Sequence, residues 1–327
     1  MQAIVYHRYG SPDVLHLVQA EKPAAGEGEV LLRIHAAAVN PLDWHFLRGE
    51  PYVVRLFIGL RRPRDQRMGV DVAGVVEAVG SGVTRFKPGD AVFGACRGAL
   101  AGYATAAAGK LAHKPERVTF EQAAAVPVAA LTALQALRDK GGLAAGQRVL
   151  VNGAAGGVGS FAVQIARAFG ARVAGVCSTR NLEMVLGLGA ERAIDYTRED
   201  FTRSAEPWDL VLDLVGNHSL AECRRVLVPR GTLVVAGGRP GNWAGPFVGG
   251  LQMAVARPFV SQKMTGLFAR MNQQDLETLQ GLLEEGKVTP AIDRSYPLAQ
   301  AAEAIRYLEL GHARGKVVVT VTDEDRR

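Results

Sequence analysis

The 327-residue sequence predicts an α/β fold, in which a β-rich domain accompanies a doubly wound parallel sheet domain. The length suggests two domains, at roughly 100–200 residues per domain. Segment 1–120 contains short β-rich stretches separated by turn-forming residues. From Gln147 onward, short strands alternate with helices, which is typical of a parallel sheet covered by helices on both faces.

The composition is that of a globular protein and excludes a disordered chain, since 48% of residues are hydrophobic and 21% are charged. The 38 basic and 32 acidic residues give a net charge of +6, which allows nucleic acid, an anionic membrane surface or a small anionic ligand as partner. Three cysteines without a C-x-x-C motif argue against a disulfide scaffold and a structural zinc site. The start lacks the features of a signal peptide, and the longest uncharged runs, 123–137 and 240–256, are too short for a membrane span. We therefore expect a soluble, cytoplasmic protein without a membrane partner.

The individual elements follow from local sequence patterns. In the first half, β-rich segments cover 2–6, 15–18, 30–38, 72–79 and 91–94, and the alanine- and leucine-rich segment 121–137 is predicted as a helix. In the second half, we predict strands at 148–152, 172–177, 193–195, 209–214 and 231–236, and helices at 157–169, 182–188, 219–226 and 275–285. The tail contains a strand at 292–296, a helix at 298–310 and a strand at 316–321, and we expect it to rejoin the first domain.

A glycine-rich loop, Gly153-Ala-Ala-Gly156-Gly157-Val158-Gly159, connects the apolar strand 148–152 to the helix 157–169. Gly153 permits a tight turn, and Gly156 and Gly157 let backbone N–H groups approach a pyrophosphate. Gly159 allows the helix to pack closely on the sheet, and the helix N-terminus attracts an anion. We predict dinucleotide binding here, because a glycine-rich turn without a ligand would leave four glycines unexplained.

The end of the second strand of this domain distinguishes NADH from NADPH. An NAD site usually has an acidic residue there, about 20 residues after the glycines. This chain has Ser178, Thr179 and Arg180 at that place, and the first carboxylate is that of Glu183. A hydroxyl and a guanidinium suit a 2′-phosphate, so we predict NADPH as the cofactor. The alternative for Arg180 is a solvated surface arginine.

Asn40, Asp43 and His45 place several polar side chains in one short turn after the segment 30–38. Asn and Asp often bond their own backbone in such turns, which is the structural interpretation. The functional interpretation makes Asn40 and His45 catalytic residues at the mouth of an interdomain cleft, where His45 donates a proton or positions a carbonyl. The seven histidines form neither H-E-x-x-H nor H-x-x-x-H, so we expect no metal.

Segment 55–67 contains five arginines and one aspartate, and therefore contributes +4 to the net charge. A flexible, solvated loop is the simplest interpretation, and an anion-attracting lip or a nucleic-acid patch are the alternatives. No interleaved aromatic residues favour nucleic acid, which we do not expect as a partner. The uncharged, glycine-rich segment 240–256 is predicted to wall an apolar substrate pocket, to pack against a second subunit or to form a buried loop.

Motifs along the whole chain resemble the medium-chain dehydrogenase/reductase superfamily, and more closely its zinc-lacking quinone oxidoreductase (zeta-crystallin-like) branch. Besides the glycine loop, they include Asn40-Pro-Leu-Asp43, Gly69-Val-Asp71-Val-Ala-Gly74, Ile194-Asp-Tyr196, Asp213-Leu-Val-Gly216 and Gly315-Lys-Val-Val. The resemblance implies a GroES-like β-barrel domain, formed by 1–122 and completed by 287–327, around a Rossmann doubly wound parallel sheet domain at 123–286. Zinc-dependent relatives have Cys where this chain has Asn40 and His where it has Val70, so the resemblance implies a zinc-independent protein.

The resemblance also implies roles for single residues. Ala155, Gly157 and Val158 match the pyrophosphate loop, Ser178 and Tyr196 match contacts to the 2′-phosphate, and Arg180 lies near a basic residue of some members. Thr132 and Asn40 match groups near the nicotinamide, Val215, Gly237 and Phe268 match wall positions along the cofactor, and Lys316 matches a C-terminal contact. Many members have Tyr where this chain has His45.

The predicted function is NADPH-dependent hydride transfer to quinones or α,β-unsaturated carbonyls, with the proton coming from solvent or from His45. The protein would contribute mainly orientation and the exclusion of water. We expect a homodimer. Two other classes remain open: a non-catalytic NADPH-binding protein that senses redox state or binds RNA, and an aldehyde or ketone reductase.

Overall fold

The computed structural model describes residues 1–237 and 261–327, and the chain divides into two compact units. Unit 1 comprises Met1–Ala129, Met271–Gly286 and Pro290–Arg327, and unit 2 comprises Ala130–Arg270 and Lys287–Thr289. This division differs from the boundaries predicted from the sequence, because it groups 123–129 and 271–286 with unit 1 and 287–289 with unit 2. The predicted apolar wall at 240–256 lies outside the described residues.

The strands, in chain order, are β1 (Gln2–Tyr6), β2 (Leu15–Gln19), β3 (Glu29–Val39), β4 (Asp71–Val79), β5 (Ala91–Ala95), β6 (Tyr103–Ala107), β7 (Leu111–His113), β8 (Arg148–Asn152), β9 (Arg172–Cys177), β10 (Arg192–Asp195), β11 (Trp208–Asp213), β12 (Leu227–Val235), β13 (Lys263–Gly266), β14 (Ile292–Pro297) and β15 (Lys316–Thr320). The α-helices are α1 (Pro41–Arg48), α2 (Arg55–Ile58), α3 (Phe120–Ala124), α4 (Pro127–Gln135), α5 (Gly157–Ala168), α6 (Leu182–Gly187), α7 (Leu220–Arg225), α8 (Gln273–Glu284) and α9 (Ala301–Glu309).

Unit 1 is built around a seven-stranded sheet in which β14, β15, β3, β4, β5 and β7 follow one another and β6 also pairs with β3. Strand β15 pairs antiparallel with β3, so the C-terminal tail lies in the same sheet as the N-terminal strands. The apolar side chains of these strands form one buried cluster, which includes Leu32, Ile34, Val72, Val92 and Val317. Their burial is the main favourable term in the stability of this unit.

Helix α8 belongs to unit 1 because it packs on β7. Arg85 forms an ion pair of 2.6 Å with Glu277 of α8, and the Arg117 guanidinium donates to the carbonyl oxygen of Glu284 at 2.9 Å. These contacts join residues that are more than a hundred positions apart in the chain, and local periodicity carries no information about them.

Unit 2 contains a six-stranded parallel sheet with the order β10-β9-β8-β11-β12-β13. Numbered within this unit, the order is 3-2-1-4-5-6, which is that of a dinucleotide-binding doubly wound sheet. The order reverses between β8 and β11, so the carboxyl ends of these two strands form the switch point where ligands bind in such sheets. The parallel sheet predicted from the alternation of strands and helices is therefore present.

The single helix predicted at 121–137 is wrong. Thr119 caps α3, accepting a hydrogen bond from Gln122 N through its side chain, and the helix ends before Val126. A new helix, α4, begins at Pro127, which has no N–H group to continue the preceding turn and disfavours helical geometry at Val126. Among the described residues, no helix is long and apolar enough to cross a membrane.

Candidate functional site

The glycine loop has the geometry of a phosphate-binding turn. Strand β8 ends at Asn152, Gly153 has a φ of +90°, and α5 begins at Gly157. A Cβ atom on Gly159 would lie 2.0 Å from the carbonyl oxygen of Gly153, so any side chain there would force the loop and the helix apart. A Cβ atom on Gly156 would lie 3.5 Å from the same oxygen, which is ordinary contact. The first N–H groups of α5 have no partner within their own helix and can bind an anion.

A buried polar pair joins the two strands at the switch point. The Asn152 side-chain amide donates to Asp213 Oδ1 and to Asn217 Oδ1, each at 2.9 Å. Asp213 Oδ1 also accepts the N–H groups of Val215 at 3.1 Å and Gly216 at 2.9 Å. This pair fixes the backbone of Val215 beside the glycine loop. The pair was not predicted from the sequence, although a polar residue ends each of the two apolar strands and could have indicated it.

Ser178 and Tyr196 follow adjacent strands, because β9 and β10 pair in parallel with Cys177 opposite Asp195. The Asn181 side-chain amide donates to Ser178 Oγ at 3.1 Å, so the Ser178 hydroxyl hydrogen is left to donate to another group. Arg180 and Tyr196 are both exposed. Ser178, Arg180 and Tyr196 therefore lie at the same edge of the sheet, and their contact with a 2′-phosphate stays a prediction.

Asp195, at the end of β10, brings a carboxylate to this same edge, and the residues that follow the second strand of the domain give no sign of it. Its oxygens accept hydrogen bonds from Thr179 Oγ1 at 2.5 Å, Thr197 N at 3.0 Å and Thr197 Oγ1 at 2.8 Å. These bonds, above all that from Thr179, hold the pKa of Asp195 below its usual value. The carboxylate is thus engaged by threonine donors of the neighbouring turns.

The other residues predicted to line the cofactor lie in unit 2 and range from tightly packed to largely exposed. Gly237 follows β12, and a Cβ atom there would lie 2.0 Å from the carbonyl oxygen of Leu214, so the two backbones are in close contact. Val215 is partly exposed, and its Cγ2 atom would lie 2.9 Å from a Cβ atom on Gly153. Thr132 lies half-buried on α4, and Phe268 is 88% exposed after β13.

His45 lies on α1, half-buried, with its ring stacked on Trp44 at a centroid distance of 3.7 Å. Its Nδ1 atom lies 2.8 Å from the carbonyl oxygen of Glu50. A carbonyl only accepts, so Nδ1 carries the hydrogen and the Nε2 atom of the neutral ring is an acceptor. Burial lowers the pKa of His45 below its ordinary value, which favours this neutral form near pH 7.

Asn40 and Lys316 meet in a buried network in unit 1. The Lys316 ammonium donates to Asn40 Oδ1 at 2.5 Å, to the carbonyl oxygen of Val39 at 3.3 Å and to Asp71 Oδ2 at 3.4 Å. The Asn40 amide nitrogen donates to Asp71 Oδ2 at 2.9 Å and to the carbonyl oxygen of Ala38 at 3.4 Å. The side chains of Lys316 and Asp71 are 3% and 0% exposed. Both ends of the Asn40 amide are therefore used inside the unit.

Two carboxyl groups share this buried region. Burial raises the pKa of Asp71, while Lys316 and the hydrogen bonds from Asn40 and from Val128 N oppose that rise. Burial also raises the pKa of Asp43 to about 7, although its Oδ2 atom accepts the Asn40 N–H at 2.7 Å. The structural interpretation of the turn, in which Asp43 bonds the backbone of its own turn, agrees with this bond to Asn40 N–H. Asp71 was recognised from the sequence only as part of a motif.

Known proteins resemble the chain over nearly its whole length. Residues 26–136 match the alcohol dehydrogenase GroES-like domain, and residues 188–319 match the zinc-binding dehydrogenase family. The 2-methylene-furan-3-one reductase of Solanum lycopersicum is 38% identical, over 98% of this chain and 79% of that protein. The chloroplastic NADPH-dependent alkenal/one oxidoreductase of Arabidopsis thaliana is 36% identical, with the same coverage of each chain. The quinone oxidoreductase structure from Coxiella burnetii has a TM-score of 0.86 at 33% identity, over 98% of this chain and 99% of that one.

The chain belongs to the quinone oxidoreductase branch of the medium-chain dehydrogenase/reductase superfamily. The resemblance inferred from the sequence motifs is thereby confirmed, as is the fold class of a GroES-like domain with a Rossmann parallel sheet. A member of this branch is an oxidoreductase, which confirms the predicted enzyme class.

For this quinone oxidoreductase-branch enzyme, the structure brings the predicted residues together in two groups. The glycine loop with Val215, and the edge with Ser178, Arg180 and Tyr196, lie in unit 2. Asn40, His45 and Lys316 lie in unit 1. Across residues 1–237 and 261–327, no group of three or more His, Cys, Asp or Glu side chains is arranged to hold a metal ion. The individual binding and catalytic roles stay predictions.

Proposed function

We propose that this protein is an NADPH-dependent, zinc-independent reductase of quinones and α,β-unsaturated carbonyls, and that it acts as a cytoplasmic homodimer. The observation that carries the proposal is the edge formed by Ser178, Arg180 and Tyr196, on the same sheet as the switch-point glycine loop. The names of the relatives, which include an NADPH-dependent alkenal/one oxidoreductase and a quinone oxidoreductase, support the same substrate classes.

The residues of unit 2 fit a dinucleotide that carries a 2′-phosphate. The glycine loop leaves room for a pyrophosphate beside Gly156, because a Cβ atom there would meet, among the described residues, only Gly153 O, at 3.5 Å, and its absence exposes the backbone. The Ser178 hydroxyl and the Arg180 guanidinium supply a neutral and a charged donor for the phosphate. The carboxylate of Asp195 repels a phosphate less strongly when threonine donors share its charge.

The chain's own residues contribute orientation and proton handling. Bound NADPH supplies the hydride that the substrate carbon accepts. The α1 helix holds the His45 ring against Trp44, and the bond from Nδ1 to Glu50 O fixes its orientation. In the neutral form Nε2 accepts a hydrogen bond, and only the protonated form donates a proton from Nε2. Near pH 7 solvent is therefore the main proton source. Neutral His45 then orients, through a hydrogen bond accepted at Nε2, a hydroxyl group or another hydrogen-bond donor.

The cofactor assignment is tested by the Arg180→Glu variant. It should weaken the binding of NADPH far more than that of NADH, because the new carboxylate repels only the 2′-phosphate. Dissociation constants for both cofactors, measured by fluorescence titration, give the comparison. Arg203→Glu is the matched control, since Arg203 is an exposed arginine of the same unit outside the edge. Equal weakening of both cofactors by Arg180→Glu would refute the 2′-phosphate assignment.

The reaction is tested by following NADPH oxidation with a panel of quinones and enones, in the presence and absence of a zinc chelator. Turnover that is unaffected by the chelator is the expected result, and no turnover with any member of the panel contradicts the proposal. Sedimentation velocity tests the homodimer, and fractionation of the source cells tests the cytoplasmic location.

A further inference from the structure

Segment 52–64 of unit 1, which contains α2, forms a loop that presents apolar side chains to solvent. Leu56 and Phe57 on α2 are 59% and 78% exposed, and Leu60, just beyond the helix, is 67% exposed. Large apolar side chains this exposed and this close in sequence mark an interaction site more often than a random surface. We call this segment the basic–apolar loop.

Side-chain contacts tie the loop to the body of unit 1. The Arg55 guanidinium lies 4.5 Å from the ring centroids of both Tyr9 and Tyr52, and it donates to the carbonyl oxygens of Gly49 and Arg48. The Tyr9 hydroxyl donates to the carbonyl oxygen of Gly59 at 2.5 Å. The backbone that carries the exposed apolar side chains is therefore anchored to unit 1 at both Arg55 and Gly59.

The loop closes on itself at its basic end. Arg64 N donates to the carbonyl oxygen of Ile58 at 2.8 Å, and this bond encloses Leu60, Arg61 and Arg62. A Cβ atom on Gly59 would lie 2.1 Å from the carbonyl oxygen of Arg62, so the turn requires glycine. Leu60 is thus held within the same tight turn as two arginines.

The charge of the loop is positive and uncompensated. Arg61, Arg62 and Arg64 are exposed, and no ion pair among residues 1–237 and 261–327 involves them. The nearby Asp65 is already bound by Arg67 at 2.8 Å and approached by Arg97 at 3.7 Å. The loop therefore combines apolar side chains with three unpaired cationic ones.

We propose that the basic–apolar loop docks the protein on the surface of an anionic phospholipid bilayer. Leu56, Phe57 and Leu60 would enter the boundary between head groups and acyl chains, and Arg61, Arg62 and Arg64 would bind lipid phosphates. A soluble anion would not need the apolar side chains. Single-stranded RNA would need several rings on which bases can stack, and the loop has only Phe57 and Tyr52, whose ring is already covered by the Arg55 guanidinium. The expectation of no membrane partner rested on the lack of a membrane-spanning segment in the sequence. A peripheral contact with the bilayer surface does not need such a segment.

The test is co-sedimentation of the full-length protein with vesicles of phosphatidylcholine, with and without phosphatidylserine. Wild type should sediment only with the phosphatidylserine vesicles, and rising salt should release it. The Arg61→Gln/Arg62→Gln/Arg64→Gln variant should bind about a hundredfold more weakly, at about fivefold per arginine. Arg172→Gln/Arg203→Gln/Arg225→Gln, which removes three exposed arginines of unit 2, is the control and should bind like wild type.

The apolar contribution is tested by Leu56→Ser/Phe57→Ser/Leu60→Ser, which should lose vesicle binding while its melting temperature stays that of wild type. Should this variant not fold, Phe57→Trp replaces it, and its additional tryptophan emission should shift to shorter wavelength on phosphatidylserine vesicles. The proposal is overturned if wild type ignores these vesicles, or if both loop variants bind as tightly as wild type. It is equally overturned if the loop variants lose RNA retention or self-association while vesicle binding is unchanged.

Discussion

Replacing Lys316 by methionine tests the most consequential contact in unit 1. The resemblance to the family predicts that Lys316 contacts the cofactor, whereas its ammonium is directed at Asn40, Asp71 and the Val39 carbonyl inside the unit. Methionine keeps most of the apolar volume and removes the charge, so the variant isolates the electrostatic role.

The expected cost follows from burial. Asp71 is 0% exposed, and without Lys316 its carboxylate would retain, within the described part of the chain, the Asn40 amide and Val128 N as donors. Removing one partner of a buried ion pair typically costs about 3–5 kcal/mol. For a unit of this size, that lowers the melting temperature by on the order of 10 °C. Thermal unfolding followed by circular dichroism measures the change.

The cost also depends on pH. Lys316 opposes the burial that raises the pKa of Asp71, so its removal raises that pKa further. A carboxyl group with a raised pKa in the folded state is penalised at pH values above its unfolded pKa, and the penalty disappears as the pH falls through that range. The Lys316→Met variant should therefore approach wild-type stability near the ordinary aspartate pKa of 3.8 and lose most at neutral pH.

Two variants complete this experiment. Lys87→Met removes an exposed lysine of the same unit and should leave the melting temperature unchanged. Asp71→Asn combined with Lys316→Met removes both charges and should recover most of the loss, because no unpaired charge remains buried. If Lys316→Met melts like wild type but binds NADPH much more weakly, Lys316 is a cofactor contact and the reasoning from the network is wrong.

Three further predictions concern the remaining groups. Asp43→Asn should flatten the pH dependence of the free energy of unfolding between about pH 4 and 7. Burial raises the pKa of Asp43 to about 7, so its ionisation destabilises the wild-type fold as the pH rises through this range. Urea unfolding at several pH values measures the effect. Gly159→Ala should lower the melting temperature, because its Cβ would lie 2.0 Å from Gly153 O, whereas Gly156→Ala should fold and lose affinity for NADPH. His45→Phe should lower kcat with an unchanged dissociation constant for NADPH, and it should remove any rise in wild-type kcat that occurs below pH 6.5.

Each of these predictions has a result that contradicts it. A pH dependence of unfolding that survives in Asp43→Asn assigns the titration to another group. Wild-type stability in Gly159→Ala would mean that the loop relaxes to admit the methyl group. Wild-type affinity for NADPH in Gly156→Ala would contradict a close approach of the phosphate to the backbone at Gly156. An unchanged kcat in His45→Phe would exclude His45 from the reaction.

The features predicted from the sequence are those whose determinants are local. The glycine loop is recognisable because its strand, turn and helix are consecutive, and the strand bounds 148–152 and 172–177 agree with the structure. The helix break at Pro127 was also local, but composition outweighed the effect of the proline in the prediction. The proline at position 127 alone is enough to predict two helices in place of one.

The missed features depend on contacts between distant residues. Lys316 and Asn40 are 276 residues apart, and Asn152 meets Asp213 across 61 residues. Asp195 lies 16 residues beyond Thr179 and reaches it only because β9 and β10 pair in parallel. Local sequence patterns do not relate residues that are so far apart along the chain. A pattern marks at most one partner of each pair, as a polar residue at the end of an apolar strand.

The buried network also bears on the proposed independence from zinc. The family resemblance implies that Asn40 and Val70 stand where zinc-dependent relatives have Cys and His. This chain supplies neither a thiolate nor an imidazole at these two positions. Instead, the Lys316 ammonium lies between Asn40 Oδ1 and the Asp71 carboxylate, within 3.4 Å of both. A divalent ion placed among these groups would be repelled by the ammonium and would meet oxygen donors that already accept hydrogen bonds. A covalently attached cation thus balances the buried carboxylate, and this donor set supports the proposed independence from zinc.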